Sequence, residues 1–194
     1  MSTFQLYLSL GIEHIADFRG FDHILFLLAL CATYDLKHWK KVLILVTAFT
    51  AGHSLTLILA TLDLIHFSSA IVEFLIPITI LLTCIGNFLQ KSDKFSSRAH
   101  LFKYLIALFF GLIHGLGFSF YLRSLLGQED SIVGPLFAFN VGLELGQIII
   151  VLIVLLITWL LVNLLKVKHR EWNLILSGAG TGISLILILE RWPF

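Results

Sequence analysis

Charge is what this sequence has least of. Only 13% of its 194 residues are Asp, Glu, Lys or Arg, against 58% hydrophobic, and the mean hydropathy is +0.98. A soluble domain carries roughly 25% charged residues. So few charges exclude an ordinary water-soluble globule, because the apolar surface exceeds what one core can hide. The formal net charge of +1 gives no reason to expect a nucleic-acid partner. Cysteine is almost missing as well: Cys31 and Cys84 both lie in apolar runs. That excludes a disulfide framework and leaves two small hydrophobes. The opening residues lack the basic n-region and small-residue cleavage site of a signal peptide, so they are read as part of the mature protein. No linker rich in Pro, Gly or Ser interrupts the chain, and one integral membrane domain over 1–194 is expected.

What the chain does have is long apolar runs. A membrane-crossing helix needs about 20 mostly apolar residues, and six segments qualify, at 20–35, 41–62, 68–90, 101–124, 134–165 and 172–192. The first is short. Phe4 to Ile15 before it is too short to cross alone and is expected to lie in the interface or to fold back toward the bundle. The fold class that follows is all-α: a polytopic membrane helix bundle of six transmembrane helices plus a short N-terminal interfacial or re-entrant segment. The fifth segment exceeds a crossing, so Gly134-Pro135 is expected to be a loop or a broken turn, or else the helix tilts.

Ten of the thirteen Lys and Arg fall in alternate connections: Lys37, Lys40 and Lys41; Lys91, Lys94, Arg98 and Lys103; Lys166, Lys168 and Arg170. Arg19, Arg123 and Arg191 are on the other side. The positive-inside rule makes the rich side cytoplasmic and puts both termini outside a bacterial-type inner (plasma) membrane.

The ionisable residues within the spans then fall in the outer half. Asp22 and His23 open the first span, His53 stands high in the second, Glu73 early in the third and His114 past the middle of the fourth. Asn140, Glu144 and Gln147 share one stripe of the fifth at i, i+4, i+7. Each has an ordinary reading: a hydrogen-bonded packing histidine at His53, an N-terminal cap at Asp22, an interfacial ion pair at Glu190–Arg191. His38, His66, His100 and His169 are taken as solvated, and Gly178, Gly180 and Gly182 as close-packing residues. Taken together, intramembrane imidazoles and carboxylates at one depth point to function. They suit a divalent transition metal such as Ni, Co or Zn more than soft copper(I), which prefers thiolates. The candidate ligands are Asp22, His23, His53, His114 and Glu144, with His14 and Glu73 beside them. Thr50, Asn140 and Gln147 are candidates to orient the imidazoles.

The pieces G-F-D-H (Gly20 to His23), T-A-F-T-A-G-H-S (Thr47 to Ser54), H-G-L-G-F (His114 to Phe118) and F-N-V-G-L-E-L-G-Q (Phe139 to Gln147), with Glu73, resemble the HupE/UreJ family. That resemblance implies a multi-pass nickel or cobalt permease with a His and Asp-His motif in its first helix. Carried onto this chain, the motif falls on His14, Asp22 and His23, with His14 further from His23 than in the family motif. Three readings stay open. One is a permease with its ion site in the outer half. The second is an intramembrane metal-dependent hydrolase using Glu73 or Glu144 as general base. The third is a structural polar network without catalysis or transport.

Overall fold

The computed structural model describes residues 2–18, 20–90, 97–127, 129 and 131–193. Arg19, Lys91, Lys94 and the side chain of Arg98, all used above to orient the chain, lie outside the described residues. Among the described residues the fold is entirely helical: α1 (Thr3–Ala16), α2 (Asp22–Cys31), α3 (Trp39–Thr61), α4 (Ser69–Leu89), α5 (Ser97–Leu126), α6 (Val133–Trp159) and α7 (His169–Glu190). Five of them, α3 to α7, are long and apolar enough to cross a membrane.

The expected first span is realised only as α2, whose ten residues extend roughly 15 Å. That is about half of a hydrocarbon core of about 30 Å. The helix ends in a turn over residues 32–34, and Asp35, whose carboxylate is 2.6 Å from His38, opens a 3-10 turn over Leu36–His38. The preceding segment is a genuine helix, α1, opened by a reciprocal cap: Gln5 N–H donates to Ser2 Oγ and Ser2 N–H to Gln5 Oε1. It lies along α6 with Tyr7, Gly11 and Ile15 buried. The two helices run in the same direction, Leu8 meeting Gly142 and Ile12 meeting Gly146. Gly134-Pro135 is no break. Pro135 sits in the first turn of α6, where its missing N–H leaves no helical bond unmade.

Three helix pairs make the bundle: α3 with α5, α1 with α6, and α4 with α7. Glycines let the first two close. A methyl group at Gly52 would lie 2.1 Å from the Leu108 carbonyl oxygen, and one at Gly142 2.2 Å from that of Leu8. Such small-residue seams replace the hydrophobic drive that helices lack in lipid. The third pair differs from expectation: Gly180 does face Cys84, but Gly178 and Gly182 face open space.

Each end is tied by polar groups. At the basic end Arg170 donates to the carbonyls of Asn87, Phe88 and Gln90, and Asn87 Nδ2 donates to the Ala29 carbonyl at 2.7 Å. At the opposite end Arg123 pairs with Asp63, and Tyr7 Oη donates to Glu129 at 3.2 Å. His66 also reaches Asp63. These partners, the Arg123 hydrogen bond first, hold the Asp63 carboxyl below the ordinary carboxylate range. His100, taken as solvated from sequence, is buried beside Tyr34 and Tyr104.

Candidate metal centre

The four histidines of the apolar segments arrive from four helices. His14 comes from the last turn of α1, His23 from the first turn of α2, His53 from α3 and His114 from α5. Ring centroids are 4.6 Å apart for His14–His23, 5.8 Å for His23–His53, 5.9 Å for His14–His53 and 5.2 Å for His23–His114. The glycine seam is what allows this. Gly115 has no side chain, so the backbone of α5 approaches the His53 carbonyl and brings His114 and His53 to one level.

A single ligand nitrogen from each of His14, His23 and His53 lies within 4.8 Å of the other two. Nitrogens on one tetrahedral ion at about 2.1 Å stand roughly 3.4 Å apart. A shift of about an ångström, within side-chain torsion, would close these three on a cation. Their hydrogen bonding fits that use. His14 Nε2, His23 Nε2 and both nitrogens of His53 are buried without a partner. Buried polar atoms are nearly always satisfied, so several unpartnered nitrogens in one cluster are what a group that could hold a metal ion would leave. His114 differs. Its Nε2 is 2.9 Å from Thr79 Oγ1, which is itself 2.7 Å from the Ile76 carbonyl. A hydroxyl that donates to that carbonyl accepts from Nε2–H, and this tautomer leaves the lone pair on His114 Nδ1, which is also buried without a partner.

Asp22 stands beside His23 but is engaged elsewhere: Arg191 Nη1 donates to its Oδ2 at 2.9 Å, while Oδ1 is buried and unpartnered. The sequence suggested Glu190 as the partner of Arg191. Adjacent helical residues do not face each other, and the guanidinium reaches across the bundle instead. Asp22, His14, His23, His114, Glu73 and Arg191 line a cavity of about 290 Å³. Glu73 sits at its exposed edge and accepts from Ser69 at 2.9 Å.

Glu144 is not brought to the histidines. Its carboxylate accepts from Thr47 at 2.6 Å on the flank between α3 and α6. The rest of its stripe does the same: Thr50 donates to Gln147 at 2.9 Å and Ser54 to Asn140 at 2.6 Å. These bonds clamp α6 to α3 on either side of His53 in sequence. Two contributors were missed from sequence. Thr79 had one available signal, being the only hydroxyl of α4 between Ser69 and Thr83. Phe118, whose ring lies 3.9 Å from that of His14 between centroids, had none beyond its glycine neighbours.

The chain matches the family described as HupE / UreJ protein over residues 1–191. It belongs to the HupE/UreJ family. No curated protein and no solved structure matches it. The four sequence pieces that carry the family likeness are the ones that meet here. Gly20–His23 and His114–Phe118 bring imidazoles and Phe118, Thr47–Ser54 brings His53, and Phe139–Gln147 supplies the clamp. As a HupE/UreJ member the chain is a multi-pass membrane protein with a histidine triad that could hold a metal ion.

Proposed function

We propose that this chain, as one membrane domain, is a permease for a divalent transition metal of the nickel or cobalt type. His14, His23 and His53 form its ion station, with His114 and Asp22 as adjoining donors. The observation that carries the reading is the set of buried, unpartnered imidazole nitrogens converging from separate helices. Neutral imidazole suits Ni, Co and Zn, and among the described residues neither thiol joins the group. The family's association with nickel and cobalt selects transport from the possible uses of such a site.

A second feature supports transport. α1 descends beside α6, and α2 continues to the basic end, so the two half-length helices together make a sixth, broken crossing with His14 and His23 at the break. Discontinuous helices around a midplane ion site are a recurrent device of transporters. The terminal carbonyls of α1 follow His14 directly and favour positive charge there. Glu73 and Asp17 line the way in as an acidic entrance, and Asp22 exchanges Arg191 for the arriving cation. Glu144, Asn140, Gln147 and Thr50 serve as the clamp that holds His53 in position.

An outward-facing metal-dependent hydrolase is favoured by one observation only. Below the imidazoles, Phe26, Phe49 and Phe110 form an aromatic floor, with Phe26 stacked on Phe49 at 4.7 Å. In a permease that floor is the gate. Proteoliposomes carrying the purified protein are expected to take up radioactive nickel or cobalt. His53→Leu is expected to abolish uptake and the metal-induced rise in melting temperature, while the metal-free variant melts no lower than the parent. Metal binding without uptake by the parent protein would transfer the site to the hydrolase, and no binding at all would remove both readings.

A further inference from the structure

His114 stands apart from the other three imidazoles. It lies outside the group whose nitrogens come within 4.8 Å of one another, and its neighbours differ. The His14 ring packs on Phe118 and Phe139, with centroids 3.9 Å and 6.0 Å away. The His114 ring packs on Phe26 and Phe49, the aromatic floor, at 5.2 Å and 5.0 Å. His23 joins the two, 4.6 Å from His14 and 5.2 Å from His114. His14, His23 and His114 therefore make a series that ends against the floor.

The hydrogen bonding of His114 is set by Thr79, a buried residue of α4. The Thr79 hydroxyl donates to the Ile76 carbonyl three residues back, so only its lone pairs remain for His114 Nε2. An acceptor at that place holds the imidazole proton on Nε2 and keeps a free lone pair on Nδ1, the form in which imidazole binds a metal ion. A histidine kept only for packing would find a partner for both nitrogens. Nδ1 is buried without one.

We propose that His114 Nδ1 is a second ion station, which takes the cation from His14, His23 and His53 and brings it to the floor, with Thr79 as its positioning residue. This rests on the permease reading above. In the transfer one coordinate bond to an imidazole of the first station is exchanged for one to His114 Nδ1, and no proton has to leave, since that nitrogen carries none.

The test uses the full chain. Radioactive nickel uptake into proteoliposomes is measured against nickel concentration, and the nickel-induced rise in melting temperature is measured on the same variants in detergent. Thr79→Val keeps the shape of the side chain and removes the acceptor. It is expected to lower the maximal uptake rate about tenfold or more, with the half-saturating concentration and the melting rise left at the parent values. Thr79→Ser keeps the hydroxyl and is expected to restore the rate. If metal-free Thr79→Val melts below the parent, His114→Gln is read in its place, because its amide still donates toward Thr79 but offers no lone pair at the Nδ1 position. Parent-like uptake by Thr79→Val, no rescue by Thr79→Ser, or loss of nickel binding together with uptake would overturn the second station and leave the permease standing. A parent that binds nickel without taking it up would overturn the permease itself, and the second station with it.

Discussion

Asp22 shows how much one side chain can be asked to do. Its carboxylate is nearly buried, one oxygen is satisfied by Arg191 and the other by nothing, and His23 follows it in the chain. A buried carboxylate stripped of its partner is costly, so Arg191 balances the charge of Asp22 beside His23. Asp63 is the contrasting case, an exposed carboxylate held by Arg123 and His66 where α3 and α5 end. Because its folded pKa lies below the ordinary value of about 3.9, its contribution is present above that value and is lost as pH falls through the lower, folded one. Asp63→Asn is therefore expected to lower the melting midpoint at pH 6 and to converge on the parent as pH falls through the lower, folded value. A constant difference between the two melting curves down to pH 2 would contradict this. Sequence made the histidines legible because an imidazole in an apolar run is conspicuous. It could not reveal that Arg191 crosses to Asp22 or that Thr79 fixes His114, since both depend on which helices become neighbours. Glu144 was drawn toward the centre by its depth and by the stripe it shares with Asn140 and Gln147, and neither says which face of the bundle that stripe occupies.

The helices themselves were readable to the extent that length and hydropathy decide them. Five long apolar segments became five long helices, with Pro135 absorbed into a first turn where the sequence alone left a loop, a broken turn or a tilted helix open. The half-length pair α1 and α2 was not readable as such. Short apolar pieces satisfy a hydropathy window whether they cross, lie flat or fold back, and the end of α2 at Cys31 lies inside an apolar run. The glycines divide in the same way. Gly11, Gly52, Gly111, Gly115 and Gly142 of the α3–α5 and α1–α6 seams leave no room for a methyl group, which would meet a neighbour's backbone that cannot rotate away. Gly52→Ala is expected to cost about 3 kcal/mol or more through overpacking, whereas Gly86→Ala is expected to be neutral or stabilising by up to about 1 kcal/mol through helix propensity. Chemical denaturation of both variants in the same detergent measures this, and equal midpoints would mean that the seam is looser than its geometry.

For the molecule as a whole, the direction of access to the centre follows from its topology. α3 and α5 run in parallel, with Gly52 beside Leu108 and Gly115 beside His53 and Thr56, and α4 and α6 run against them. The connections bearing Lys37, Lys40 and Lys41, and Lys166, Lys168 and Arg170, are consequently brought to one end, with Asp63, Glu73 and Arg191 at the other. By the positive-inside rule the basic end is expected to face the cytoplasm, and the cavity that reaches the imidazoles lies toward the opposite end. The two native thiols, Cys31 and Cys84, are fully buried and give a silent background for cysteine labelling. Ser131→Cys, exposed just before α6, is expected to react with a membrane-impermeant maleimide on intact cells stripped of their outer membrane. Lys40→Cys, exposed at the start of α3, is expected to react only after the membrane is opened. The reverse pattern would turn the molecule over. The acidic entrance and its imidazoles would then face the cytoplasm, and a permease built this way would load its metal from inside and export it.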